Sequence, residues 1–252
     1  MSGHSKWSGI KHKKAIVDAA RGKVFSKIVR ELTVAAKMGG GNPDGNARLR
    51  LVIAKARDAN LPKDKIEQAI KKGTGELPGV SYEELMFEGY GPGGVAILVE
   101  ALSDNKNRTT AEIRNLFAER GGNIAGAGSV SWLFQKKGSV VVSTKLIDED
   151  RLTGLVLDEG AEDIKQEGDV WVITTTPHDL ERVKEALAKN RMKWESAELA
   201  MIPSSSTLVE DPHQAKHLLT LLNDLEDHDD VQHVFANFDI PDAILAEHAA
   251  AH

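Results

Sequence analysis

Residues 139–202 read SVVVSTKLIDEDRLTGLVLDEGAEDIKQEGDVWVITTTPHDLERVKEALAKNRMKWESAELAMI. The stretch alternates short β-branched runs with segments of helical periodicity, which predicts strand 139–143, helix 148–158, strands 163–167 and 170–175, helix 178–189 and strand 197–202. The order is βαββαβ. Two helices covering one face of a four-stranded antiparallel sheet satisfy that order, the ferredoxin-like arrangement.

Upstream, strands are predicted over 82–90 and 95–102, a helix over 107–120 and a strand near 130–134. Downstream of Pro203-Ser-Ser-Ser-Thr207, a helix over 212–225 and a strand over 231–238 have no sheet of their own to join. The simplest solution is one split domain, 78–134 plus 205–252, interrupted by an inserted domain, 135–204.

Residues 1–77 read as a separate helical domain. Phe25, Ile28, Val29, Leu32 and Ala36 form the first apolar stripe, which the run GGGNP from Gly39 ends. Lys23, Lys27, Arg30 and Lys37 fall on the opposite face and read as a solvent-facing row. Leu49, Val52, Ile53, Ala56 and Ala59 mark a second helix, flanked by Arg50 and Arg57 on one side and by Arg48 and Lys55 on the other. A third starts near Pro62, buries Ile66, Ala69 and Ile70, carries Lys71 and Lys72 in its last turn and stops at Gly73. The expected fold class is therefore α+β, with a small N-terminal helical domain followed by two α+β ferredoxin-like domains, the last inserted into the middle one.

Charge divides the chain along the same line. Residues 1–77 carry 17 Lys and Arg against 7 Asp and Glu, a net +10, whereas the remainder carries 15 against 31, a net −16. A basic segment on an acidic body suits a polyanion partner held at one end. The alternative is that the two parts neutralise each other across an interface. No apolar run is long enough for a membrane span or signal peptide, so a cytoplasmic protein without a membrane partner is expected. The absence of cysteine excludes disulfides, thiol nucleophiles and cysteine metal sites.

The opening GHSKWSGIKHKKAIVDAARGK sets Trp7 among Lys6, Lys11, Lys13, Lys14, Arg21 and Lys23. Cations displace counterions from phosphates, and an indole stacks on an unpaired base or wedges into a groove. The run GYGPGG at 89–94 joins two strands rather than a strand and a helix, and Pro92 lacks an N–H, so a shaped turn is expected in place of a phosphate cradle. Arg108 opposes the helix dipole beside Asp104 and Asn105, which makes it a candidate secondary anion contact. The run DLEDHDDVQH at 224–233 matches no metal-ligand spacing and reads as a solvated turn. No catalytic constellation, cofactor motif, metal site or small-molecule substrate site stands out; His4 and His12 lack a carboxylate partner.

The runs GHSKWSGIKHKKAIVDAARGKVFSK, GGGNPDGNARLRLVIAKARDANLPKDKIEQAIKKGTGE and EGYGPGGVAILVEALSDNKNRTTAEIRNLFAERGGNIAGAGSVSWLF, with VQHVFANFDIPD near the C-terminus, resemble the YebC/PmpR family. Leu61, where methionine is expected, and the alanine-histidine tail after Asp242 are minor departures. The resemblance implies three domains, the first helical and two α+β, and no enzymatic activity. It implies a regulator of gene expression: bacterial members are described as probable DNA-binding transcriptional regulators, a mitochondrial relative activates translation of a cytochrome oxidase subunit, and bacterial members have been linked to the ribosome. By position, the family's basic motif falls on Lys6, Trp7, Lys11, His12, Lys13 and Lys14. The expected partner is nucleic acid, DNA or ribosomal RNA, with the ribosome as the alternative target.

Overall fold

The computed structural model describes residues 18–241 and 243–245, with side chains from residue 22 onward. Three helices open it: α1 (Asp18–Gly39), α2 (Ala47–Asp58) and α3 (Lys63–Thr74). The chain continues through β1 (Glu83–Tyr90), β2 (Ala96–Ser103), α4 (Lys106–Glu119), β3 (Asn123–Ala125), β4 (Phe134–Ser143), α5 (Glu149–Val156), β5 (Ala161–Glu167), β6 (Val170–Thr175), α6 (Leu180–Lys189) and β7 (Ser196–Pro203). It closes with β8 (Thr207–Leu208), α7 (Pro212–Asp227), β9 (Val231–Ala236) and β10 (Phe238–Asp239). No described helix is long and apolar enough to cross a membrane.

Leu32, Ala35 and Ala36 of α1 pack with Leu49, Val52 and Ala56 of α2 and with Ile66 and Ala69 of α3. Asn46 locks the α1–α2 corner. Its Oδ1 caps α2 by accepting the Leu49 N–H at 3.0 Å, while its amide donates to the carbonyls of Ala35 and Gly40 at 2.8 and 2.9 Å. The third helix does not stop at Gly73, as its sequence suggested, but runs to Thr74, with Gly75 at φ 82° as its left-handed cap. Gly73 is a contact point instead: a Cβ there would lie 2.3 Å from the Thr33 carbonyl oxygen, so its missing side chain lets α3 approach α1.

The first sheet has the strand order β3-β1-β2-β9 and is antiparallel throughout. Pro92–Gly94 form a tight turn between β1 and β2, with Gly93 and Gly94 at φ 76° and 73°, the shaped turn the sequence implied. Helices α4 and α7 cover one face of this sheet, burying Ile113 and Phe117 with Leu218, Leu221, Leu222 and Leu225 against Ile97, Val99 and Val234. Between β3 and β9 the chain builds the second sheet, of order β5-β6-β4-β7, in which β4 pairs with both β6 and β7. That order is the ferredoxin-like one. Helices α5 and α6 cover it through Leu152, Val156, Val183 and Leu187 packed on Val140, Val142, Trp171 and Ile173.

The strand expected near 130–134 is corrected. Residues Ser131–Leu133 form a 3₁₀ turn, and Phe134 begins the ten-residue β4. The apolar run imitated a strand because Val130 and Phe134 are core residues: they join Ala96, Leu98 and Phe235 on the sheet face opposite α4 and α7. Tyr90, Ala200 and Met201 pack on the same cluster, which seats β7 against the first sheet.

Candidate nucleic-acid interface

The basic face of α1 is turned onto the end of α7. Lys23 Nζ donates to the Asp227 carbonyl at 3.2 Å, Lys27 Nζ to the Glu226 carbonyl at 2.6 Å, and Arg30 to the Asp229 carbonyl. A helix C-terminus leaves carbonyls without intrahelical partners and carries the negative end of the dipole, so Lys23 and Lys27 are well matched to it, with Arg30 on the turn just beyond. Arg30 also pairs with Asp230 at 3.0 Å and lies 5.7 Å from the Tyr82 ring centroid. The reading of a solvent-facing row is thereby corrected for Lys27 and Arg30, which are half-buried, whereas Lys23 and Lys37 remain exposed, Lys37 donating to Ser81 Oγ at 2.7 Å. Helical periodicity identifies the face opposite the helix's own core but not what else packs there.

Asp230 is the centre of this contact and is 3% exposed. Its carboxylate accepts hydrogen bonds from Arg108 at 2.7 Å and from the Thr109 hydroxyl, while Thr109 also meets Ser103 Oγ at 2.6 Å. Burial opposes ionisation of Asp230, but the hydrogen bonds from Thr109, Arg108 and Ser103 and the Arg30 charge outweigh it and hold the carboxyl below its ordinary range. Hydrogen bonds to Asp230 and then Asp104 correspondingly raise Arg108. Arg108 thus has internal anionic partners, Asp230 and Asp104 at 2.7 and 2.8 Å.

Glu112, His228 and Asp230 bring ligand-type atoms within 4.8 Å of one another. Their contacts are already allotted. His228 Nδ1 accepts the Asp230 backbone N–H at 3.1 Å, which leaves Nε2 to donate to Glu112 Oε2 at 3.0 Å. With Arg30 and Arg108 at Asp230, the cluster is arranged as an ion-pair hub rather than a cation-binding cup.

The remaining candidates divide. Arg48 pairs with Glu84 of β1, and Lys55 pairs with Glu31 of α1 at 3.0 Å. Arg50 and Arg57 are exposed on one stripe of α2, about 10 Å apart along its axis, and their guanidinium groups have no hydrogen-bond or ion-pair partner among the described residues. Lys71 and Lys72 in the last turn of α3 are likewise exposed, and their side-chain amines have no such partner among the described residues. Lys6, Trp7, Lys11, His12, Lys13 and Lys14 lie outside the described residues, and Arg21 lies on α1 with its side chain outside them. The sequence reading missed Asp230, which it placed in a solvated acidic turn. The available signal was the coincidence of that acidic turn with a row of four cations on α1 that Glu31 alone cannot neutralise.

A family model described as the TACO1/YebC protein N-terminal domain matches residues 5–76, and one described as the TACO1/YebC second and third domain matches residues 82–238. A protein of Syntrophus aciditrophicus named "Probable transcriptional regulatory protein" is 53% identical over 99% of this chain and 100% of its own length. One of Geobacter sulfurreducens, also named a probable transcriptional regulatory protein, is 54% identical over 95% of this chain and 96% of its own. The crystal structure of a conserved hypothetical protein from Aquifex aeolicus superposes with a TM-score of 0.84 at 48% identity, covering 92% of this chain and 96% of that one.

Proposed function

Because the chain belongs to the TACO1/YebC family, we propose that it is a non-catalytic cytoplasmic regulator of gene expression that binds nucleic acid, DNA in the first instance, through its helical N-terminal domain. The proposed domains are 1–77, 78–134 with 205–252, and 135–204. The names of its relatives support a regulatory role. The observation that carries the binding surface is the set Arg50, Arg57, Lys71 and Lys72, exposed cations whose charge no described residue takes up. Phosphates are their fitting partners, because each cation that replaces a condensed counterion gains entropy from its release. Lys23, Lys27 and Arg30, by contrast, hold the helical unit on α7 and orient it.

The test replaces Arg50, Arg57, Lys71 and Lys72 together with alanine and measures binding to promoter DNA and co-sedimentation with ribosomes in one buffer. The salt slope on duplex DNA should fall by about 0.9 for each phosphate that is no longer neutralised. An unchanged slope refutes the assignment of these four. Ribosome co-sedimentation without duplex binding would replace DNA by ribosomal RNA as the target.

A further inference from the structure

Trp132 stands out on a part of the molecule that the proposed phosphate surface does not reach. It is 71% exposed, the most exposed of the large apolar side chains among the described residues. The segment that carries it is held firmly. Glu88, buried on β1, accepts the backbone N–H groups of Gly128, Val130 and Ser131 at 2.7, 2.7 and 2.9 Å. Val130 is fully buried, and Tyr90 donates its hydroxyl to the Ser129 carbonyl at 3.1 Å. An exposed indole on an ordered loop binds without first having to order its own backbone.

The Trp132 Nε1–H donates to the same Ser129 carbonyl at 3.0 Å, so the indole's polar edge is already satisfied and its π face is what remains. Its neighbours along the chain offer little apolar surface: Gly126, Ala127 and Gly128 are exposed and small, Leu133 is half-buried, and Val130 and Phe134 are buried. A protein hot spot sits in a well-packed pocket rimmed by contacts that exclude water, and the small exposed residues of this loop supply little of such a rim. A flat ring with polar edges needs only the face, which describes a nucleobase. Six residue steps along β1 lead from Glu84, which touches the helical unit through Arg48, to Tyr90, a span of about 20 Å. The indole is therefore a second contact, apart from the basic helices.

We propose that Trp132 is a stacking platform for an unpaired base of a single-stranded nucleic acid, a contact that rests on the nucleic-acid reading above and extends it to a second point. Full-length protein, Trp132→Ala and Trp132→Phe are titrated with a 12-nucleotide oligouridine RNA and a 12-base-pair duplex, with circular dichroism confirming the fold. Trp132→Ala should weaken binding of the single strand by about 5- to 150-fold, the range for removal of one base stack, and leave its salt slope and the duplex affinity unchanged. Trp132→Phe should retain most of the affinity. Undiminished single-strand binding by Trp132→Ala overturns the proposal and leaves the indole to a protein contact, as does an equal loss on the duplex or a fall in salt slope. If the unaltered protein binds neither probe, the nucleic-acid reading falls together with this one, an outcome distinct from binding that ignores Trp132.

Discussion

Replacing Asp230 with Asn keeps the shape of the side chain and removes its charge. In the native structure that charge meets Arg30, 20% exposed, Arg108, 43% exposed, and the Thr109 hydroxyl, while the Asp230 side chain is itself 4% exposed. Hydrogen bonds to charged groups contribute about 1.5–3 kcal/mol each, and removing one partner of a buried pair costs about 3–5 kcal/mol when the other is stranded. Neither arginine is stranded, since both reach water, and Asn still accepts from Thr109. The expected loss is therefore about 2–3 kcal/mol, below the fully buried limit. It should fall on the α1–α7 contact first. Hydrogen exchange resolved by segment should report faster opening of α1 relative to β4–β7, and a double-mutant cycle with Arg30→Met should show coupling of about 1 kcal/mol or more. The pH dependence has a definite sign. The folded carboxyl titrates below its ordinary value of 3.8, so its stabilisation is present above that pH and is lost as pH falls through the lower folded value. Asp230→Asn should lose this acid-sensitive component. If Asp230→Asn unfolds within about 0.5 kcal/mol of the unaltered protein, with α1 exchange unchanged, the hub does not hold the helical unit in place.

Glu88→Gln supplies one fewer acceptor to the three N–H groups it serves, so the amides of Gly128, Val130 and Ser131 should exchange at least tenfold faster by NMR, at a cost of about 1–3 kcal/mol. Gly73→Ala sets a methyl 2.3 Å from the Thr33 carbonyl and should destabilise the helical unit by about 1–3 kcal/mol in thermal denaturation, whereas Gly40→Ala, with open space around it, should lose only what its φ of 83° demands.

The second sheet was legible in the sequence because its elements are regular: short β-branched strands alternate with helices such as α6, whose Leu180, Val183 and Leu187 repeat at helical spacing. Sequence patterning also suggested that the strand after α7 must borrow a sheet, and β9 does pair with β2. Val130 was misread because burial ahead of a turn looks the same, in a string of residues, as burial in a strand. The short edge strand β3, only three residues long, left no pattern to find. The residues of the proposed interface were harder still. Arg50 and Arg30 are both cations on helices, and only the packed structure separates the one left in water from the one turned onto Asp230.

The pairing of Phe134 with Pro203, continued by the Ser204 N–H to the Leu133 carbonyl at 2.8 Å, joins the first and last residues of the second sheet side by side. That closure bears on the order in which the chain can fold. For the first sheet to assemble, β9 must find β2 across everything between them, and the entropy of closing a loop rises with its length. Once 134–203 has folded, those 70 residues count as little more than a two-residue bridge, so the loop between β2 and β9 is roughly halved and its closure cost falls by about 0.7 kcal/mol. The second sheet, built from neighbours in sequence, is thus placed to form early and act as a template, bringing distant parts of the first within reach of each other and delivering the α7 terminus on which α1 comes to rest.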